Sequence, residues 1–185
     1  MNVKRIFDLF FSIVGLFFLG WLILLLLFLA SIDTRSFGVF AQARIGQNGK
    51  KFKIFKIKSM LDGTKSISGF GYFLRKSKLD ELPQLINILL GDMSFVGPRP
   101  DVAGYYNSLH GEERLILKLK PGLTSEASLK YFDEEVLLKQ QKKPQEYNDT
   151  VIFPDKVKLN LQYYYHHSLQ GDLKIIYKTL LRYIQ

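Results

Sequence analysis

The sequence predicts a helix-rich α+β protein, with one N-terminal membrane helix followed by a single domain. Three observations support this class. Leu9–Ile32 carries no charged residue, two short β-patterned segments flank an Asn-Gly pair, and several later segments have helical periodicity. A chain of 185 residues suffices for one domain and an anchor. We therefore divide the chain into residues 1–33, a membrane-inserted helix, and residues 34–185, a single functional unit.

The uncharged segment Leu9–Ile32 is long enough to cross a bilayer. As a helix it would extend about 36 Å, against a hydrocarbon core of about 30 Å. It exceeds the apolar core of a cleaved signal peptide, and Phe28-Leu29-Ala30 lacks the small-residue pair of a cleavage site. Lys4 and Arg5 precede the segment and further basic residues follow it, so the positive-inside rule assigns no orientation. A re-entrant helix and a straight span both remain open.

The charge balance predicts an anionic partner. The formal net charge is +9, with 26 Lys and Arg against 17 Asp and Glu. Nucleic acid, an acidic membrane surface and phosphorylated substrates would all match this charge. The apolar segment favours partners at a membrane, and no motif of a known nucleic-acid-binding module is visible. The chain has no cysteine, and its three histidines form no zinc pattern. A bound metal is therefore expected to have oxygen ligands, with Mg²⁺ as the first candidate.

Two segments, Phe37–Gln42 and Phe52–Ile57, predict a short antiparallel β-hairpin. The Asn-Gly pair within Gly46–Gly49 is a strong hairpin signal. Five lysines lie in and beside the second strand, at positions 50, 51, 53, 56 and 58. They would rest on acidic lipid headgroups, or Lys56 or Lys58 would contact a substrate phosphate. The two interpretations are compatible.

The C-terminal segment predicts a basic amphipathic helix. Its apolar residues recur at helical spacing, and its basic residues follow at four-residue steps on another side: Leu173, Ile176, Tyr177, Leu180, Leu181 and Ile184, with Lys174, Lys178 and Arg182. Such a helix suits a bilayer interface, and packing against the protein's own core explains the pattern equally well.

The most informative segment, Leu79–Pro100, begins with two adjacent carboxylates, Asp80 and Glu81. Ser77 is predicted to cap a helix with Asp80 at its third position, and Pro83 is tolerated in the first turn. Adjacent helical residues diverge by about 100°, so the two carboxylates should have different roles. The positive end of the helix favours their ionised form.

The same segment continues with a predicted buried helical face and a rigid arginine turn. Leu82, Leu85, Ile86 and Leu89 recur at helical spacing. Arg99 then stands between Pro98 and Pro100, which restrict its backbone and suit it to phosphate binding. Taken separately, the parts would be a capped surface helix and a solvated arginine. Together they predict a phosphate-handling site.

These motifs resemble the bacterial sugar transferase family, the monotopic phosphoglycosyl transferases that begin the assembly of lipid-linked glycans. The resemblance covers nearly the whole chain and follows the family's order of motifs: Lys4–Asp8, Phe52–Met60, Leu79–Pro100, Lys120–Thr124 and Gly171–Lys174. The sequence departs from the family in two places. No proline precedes Pro83, so the usual Ser-Pro break of the membrane helix is missing, and Ser125–Ser128 replaces a Trp-Ala-Gln type segment.

The resemblance implies a re-entrant membrane helix at the bacterial inner membrane, with a cytoplasmic catalytic domain and amphipathic interfacial helices. It implies transfer of a sugar 1-phosphate from a UDP-sugar to polyprenol phosphate, releasing UMP. Asp80 would be the nucleophile and a Mg²⁺ ligand, and Glu81 would orient the metal or assist proton transfer. Arg75, Arg99 and Lys58 would bind substrate phosphates.

Two other functions remain open at this point: a membrane-tethered basic adaptor without catalysis, and a phosphohydrolase acting on lipid diphosphates. The sequence does not identify the sugar, the polyprenol length, or the oligomeric state, a homodimer included. It also does not choose among protein glycosylation, capsule and lipopolysaccharide as the downstream pathway.

Overall fold

The computed structural model describes residues 3–63 and 66–184. Its helices and strands follow in this order: α1 (Val3–Thr34), β1 (Val39–Ile45), β2 (Lys51–Ile57), α2 (Gly69–Lys76), α3 (Gln84–Leu90), β3 (Ser94–Val96), β4 (Gly122–Thr124), α4 (Glu126–Lys130), α5 (Glu134–Lys139), α6 (Pro144–Tyr147), α7 (Phe153–His166) and α8 (Leu169–Ile184). A helix-rich α+β class with a long apolar N-terminal helix and a short antiparallel pair is confirmed.

The chain forms two compact units. The first contains the chain up to Arg44 together with Lys51–Met93, and the second contains Ile45–Lys50 together with the chain from Ser94 onward. Helix α1 thus belongs to the same unit as α2 and α3. The boundary that we predicted between residues 33 and 34 separates a membrane-inserted helix from a domain outside the membrane. It is a different kind of division from that between the two units, and it stays a prediction.

In the first unit, one face of α1 is buried near both of its ends. Near the start, Arg5 donates hydrogen bonds from Nη1 to Ile88 O at 2.6 Å and from Nη2 to Leu89 O at 2.9 Å. These carbonyls belong to the last turn of α3, where Ile88 O also accepts a hydrogen bond from Gly91 N at 3.1 Å. Near the end of α1, Leu26 and Ala30 pack in a cluster with buried residues of β2 and α2.

The other face of α1 is apolar and exposed. Its large exposed side chains include Phe10, Phe17, Phe18, Trp21, Leu24 and Phe28. By length and composition, α1 is the one helix in residues 3–63 and 66–184 that could cross a membrane. The helix runs from Val3 to Thr34 without interruption, and this exposed apolar face suggests membrane association.

The predicted hairpin is present, with β1 pairing with β2. The connecting 3₁₀ turn, Gln47–Gly49, has Asn48 at φ 57° and Gly49 at φ 75°. Asn and Gly are the residues that tolerate this left-handed region best, which explains why the Asn-Gly signal located the turn correctly. The first strand begins two residues later than predicted, at Val39.

In the second unit, β3 and β4 form a parallel pair that the sequence did not predict. Ser94 is opposite Gly122 and Val96 is opposite Thr124. A hydrophobic cluster lies in the same unit, formed by Ile45, Tyr106, Leu109, Ile116, Leu117 and Val157. Gly111–Lys118, which precedes Pro121, is a 3₁₀ helix.

The C-terminal helix α8 uses a different face for packing than its apolar pattern predicts. Asp172 and Ile175 are buried, and Thr179 Oγ1 lies 2.7 Å from Thr124 Oγ1 of β4. Leu173, Tyr177, Leu180 and Leu181 are exposed. The interpretation that these apolar residues pack against the protein's own core is therefore wrong. Their role at a membrane interface stays a proposal.

Candidate active site

Asp80 and Glu81 lie in a 3₁₀ turn, Leu79–Glu81, between α2 and α3. The predicted cap is wrong, because Ser77 ends the preceding helix: its Oγ donates to Phe73 O at 2.8 Å. Lys78 follows in the left-handed region at φ 56° and redirects the chain. Helix α3 begins only at Gln84, with Pro83 at its N-cap. The carboxylates therefore precede α3.

The buried face of α3 differs in part from the predicted one. Leu85 and Ile88 are buried as apolar residues, and Gln84 and Asn87 are buried with them, whereas Ile86 is 37% exposed. Two buried polar residues thus occupy the face on which leucine and isoleucine were expected.

The two carboxylates are each 7% exposed and have different surroundings. Lys56 of β2 donates from Nζ to Glu81 Oε1 at 2.8 Å, and the same nitrogen is 4.0 Å from Asp80 Oδ2. Among the described residues, none donates a hydrogen bond to the buried Asp80 Oδ1. One carboxylate is thus neutralised by a lysine, and the other keeps a buried oxygen whose hydrogen-bonding capacity is unused among the described residues.

Burial raises the pKa of Asp80 above its ordinary value, and the negative charge of Glu81 adds to that effect. The charges of Lys56, Lys78 and Arg75 act in the opposite direction without cancelling it. The expectation that a helix N-terminus favours the ionised form of Asp80 is therefore wrong. Loss of hydration dominates, and a three-residue 3₁₀ turn supplies little dipole.

The structure separates the two lysines that the sequence left as alternatives. Lys58 donates from Nζ to Ser36 Oγ at 2.7 Å and to both Asp62 carboxylate oxygens at 2.6 Å. Lys56, in contrast, pairs with Glu81. Lysines two positions apart along an extended segment point to the same side, so no sequence signal could choose between them.

The predicted arginines lie in separate units. Arg75 occupies the last turn of α2, and its charge lowers the pKa of Asp80. Arg99, in the second unit, is exposed between buried Pro98 and Pro100. The two residues before Arg99 are attached to the two ends of β4, because Gly97 N donates to Thr124 O at 3.0 Å and Gly122 N donates to Pro98 O at 2.9 Å.

One residue of this region was missed entirely. Asn87 is fully buried, and its amide connects α3 with β2 through two hydrogen bonds. The available signal was a polar side chain within the apolar run Leu85–Leu90. Buried polar groups are rarely tolerated without partners, so that position pointed to a specific contact.

A magnesium site requires few protein ligands in phosphate chemistry. No group of three or more potential metal-binding side chains occurs in residues 3–63 and 66–184. Mg²⁺ commonly binds one or two carboxylates together with substrate phosphates and water. Asp80, whose Oδ1 lacks a hydrogen-bond donor, fits such a role, and Glu81 is already engaged by Lys56.

A profile of the bacterial sugar transferase family matches residues 1–185. The chain belongs to the bacterial sugar transferase family. Its relatives include UDP-glucose:undecaprenyl-phosphate glucose-1-phosphate transferases of Klebsiella pneumoniae, 33% identical over 86% of the chain, and of Escherichia coli K12, 32% identical over 78%. The exopolysaccharide production protein ExoY of Sinorhizobium fredii is 30% identical over 96% of the chain.

The lengths of these bacterial sugar transferases differ. The chain spans 36% of the Klebsiella protein and 32% of the Escherichia coli protein, whereas it spans 83% of ExoY. The family predicted from the motifs is confirmed, and the match includes α1 as well as the segments around Asp80 and Arg99.

Proposed function

We propose that this bacterial sugar transferase moves a sugar 1-phosphate from a UDP-sugar to a polyprenol phosphate such as undecaprenyl phosphate, releasing UMP. The observation that carries the proposal is the buried carboxylate pair, in which Lys56 neutralises Glu81 and leaves Asp80 Oδ1 without a donor. Two relatives are named for glucose 1-phosphate transfer to undecaprenyl phosphate, which supports the reaction class.

In the proposed mechanism, Asp80 attacks the phosphorus next to the sugar. The bond from this phosphorus to the bridging oxygen of UMP breaks, and UMP leaves with the bonding electrons. An oxygen of the polyprenol phosphate then attacks the aspartyl phosphosugar, and the carboxylate of Asp80 is released. Two displacements replace one difficult transfer between anions.

Positive charge close to Asp80 makes this attack on an anion feasible. Lys56, Lys78 and Arg75 all lower the pKa of Asp80 and so favour its nucleophilic form. Asp80 and the substrate phosphates would hold Mg²⁺, which when bound supplies further charge neutralisation. We assign Arg75, Lys58 and Arg99 to substrate phosphates, and Glu81 to orienting the metal or assisting proton transfer.

The lipid acceptor is consistent with the apolar surface of the first unit. Helix α1 packs against the rest of the first unit near both of its ends. We therefore propose that both ends lie on one side of the membrane, at the cytoplasmic face of the inner membrane. The exposed apolar stripe of α8 lies beside Lys174 and Lys178 and would contact anionic lipids. An N-terminus accessible from outside the cell would contradict this arrangement.

Intact-mass analysis tests the reaction directly. The purified protein is incubated with Mg²⁺ and a panel of UDP-sugars, without a lipid acceptor. We expect an added sugar phosphate that is absent in Asp80→Asn, and UMP in the supernatant. UMP release that is unchanged in Asp80→Asn would disprove the mechanism.

A parallel incubation with a polyprenol diphosphate in place of the UDP-sugars separates the other two functions. A lipid diphosphate phosphohydrolase would release inorganic phosphate, and a non-catalytic adaptor would release neither product. Adding polyprenol phosphate should discharge the mass adduct and produce a lipid-linked sugar. The UDP-sugar that forms the adduct identifies the sugar transferred.

A further inference from the structure

The buried amide of Asn87 connects two elements of the first unit. Its Oδ1 accepts a hydrogen bond from Phe55 N at 3.0 Å, and its Nδ2 donates to Lys53 O at 2.7 Å. Asn87 has no exposed surface and lies in α3, a few residues after the turn that bears Asp80 and Glu81. One side chain thus fastens β2 to the helix that follows the carboxylates.

The two backbone groups that Asn87 binds belong to residues shortly before Lys56 in β2. Phe55 is the neighbour of Lys56, and Lys53 is three residues before it. A register slip of one residue in a strand turns every side chain to the opposite face. Lys56 reaches Glu81 only from its present face, so the position of β2 along α3 decides whether the ion pair can form.

Apolar packing does not explain the register by itself. Ile54 and Ile57 of β2 are buried and hold the strand in the unit, but apolar contacts are non-directional. The amide of Asn87 matches one donor and one acceptor at defined positions along the strand, which is the directional constraint that packing lacks. Leaving these groups unsatisfied in a buried site is costly.

We propose that Asn87 is a positioning residue that holds Lys56 against Glu81 by fixing β2 on α3. The contact is a property of the fold, and its consequence for catalysis rests on the proposed function. A purely structural role for Asn87 would lower stability without a selective effect on Lys56. The two roles therefore differ in an observable way.

Competitive acylation of lysines, quantified by mass spectrometry, tests this without any substrate. Lys56 is ion-paired and its side chain is 19% exposed, so it should react slowly, whereas the exposed Lys51 serves as the reference on the same strand. In Asn87→Leu we expect the ratio of Lys56 to Lys51 labelling to rise about fivefold, as loss of one net hydrogen bond allows. Glu81→Gln, which removes the ion-pair partner, is the positive control.

Ile88→Val is the matched control, because Ile88 is the next residue of α3 and equally buried. It should lower the melting temperature while leaving the labelling ratio unchanged. Should Asn87→Leu fail to fold, Asn87→Ser retains one hydrogen-bonding group and should give an intermediate ratio. An unchanged ratio in either folded Asn87 variant would overturn the proposal.

The catalytic consequence is read from a double-mutant cycle on UMP release. In the Lys56→Met background, Asn87→Leu should cause no further loss, whereas Ile88→Val should have the same effect in both backgrounds. Additive losses for Asn87→Leu would overturn the coupling. If labelling changes as expected while the unaltered protein releases no UMP, the positioning role stands and the proposed function fails.

Discussion

Lys56 and Glu81 form an ion pair with 2.8 Å between Nζ and Oε1, although β2 and the carboxylate turn are separated by helix α2 in the chain. The same ammonium is 4.0 Å from Asp80. A single cation thus distinguishes two adjacent carboxylates, because it is hydrogen-bonded to Glu81 and acts on Asp80 only through its charge.

Replacing each lysine in turn should separate their roles. Lys56→Met leaves Glu81 unneutralised beside the nucleophile, so we expect kcat to fall by about 100-fold, the loss typical of one well-placed electrostatic contact. Lys58→Met should mainly raise KM for the UDP-sugar. Steady-state kinetics of UMP release measure both values, and the reverse assignment would refute our distinction between the lysines.

Asp80→Asn should abolish transfer and stabilise the protein at neutral pH. Because the pKa of Asp80 is raised in the folded state, folded-state stability falls as pH rises from the ordinary aspartate value through the raised one. The variant avoids this loss of stability. In a protein of this size, each kcal/mol gained in the free energy of unfolding should raise the melting temperature by about 2–4 °C.

The pH dependence provides the control for this prediction. The higher stability of Asp80→Asn should disappear as pH falls through the raised pKa of Asp80. The carboxyl of the unaltered protein is then protonated and neutral, like the amide of the variant. Melting curves across an acidic to neutral series measure the difference. A variant that is less stable than the unaltered protein at neutral pH would contradict the raised pKa.

Asp62→Asn should improve binding of the UDP-sugar. Asp62 engages Lys58 through both carboxylate oxygens, and this contact lowers the pKa of Asp62. An exposed ion pair of this kind is weak, so its removal should lower KM by about two- to fivefold if Lys58 contacts substrate phosphates. Asp62→Asn in the Lys58→Met background is the control and should leave KM unchanged.

Gly122→Ala should strongly destabilise the second unit. A Cβ at Gly122 would lie 2.1 Å from Gly97 N, which belongs to the backbone and has little room to move. We expect a loss of about 3 kcal/mol in the free energy of unfolding, at the upper end for added bulk in a packed site.

Gly20→Ala is the control for this substitution, because nothing lies within 4 Å of a Cβ at that helical position. It should be neutral or stabilising, since alanine is the better helix former. Urea titration followed by circular dichroism compares the two variants. Similar stabilities would show that the close approach of Gly97 and Gly122 is not required.

Local signals in the sequence were sufficient for several features. The long uncharged run predicted α1, the Asn-Gly pair located the hairpin turn, and the C-terminal periodicity predicted α8. Each depends on a short-range property: the apolar length of a segment, the tolerance of a residue for positive φ, or the helical repeat. The ordered motifs likewise sufficed to predict the family.

Long-range contacts decided the rest. The parallel pairing of β3 with β4, the choice of Lys56 over Lys58 as the partner of Glu81, and the contact of Asn87 with β2 all join segments that are distant in the chain. Asp80 illustrates the physical reason. Its position before a helix favours ionisation, but burial, which is set by the packing of the whole unit, raises its pKa instead.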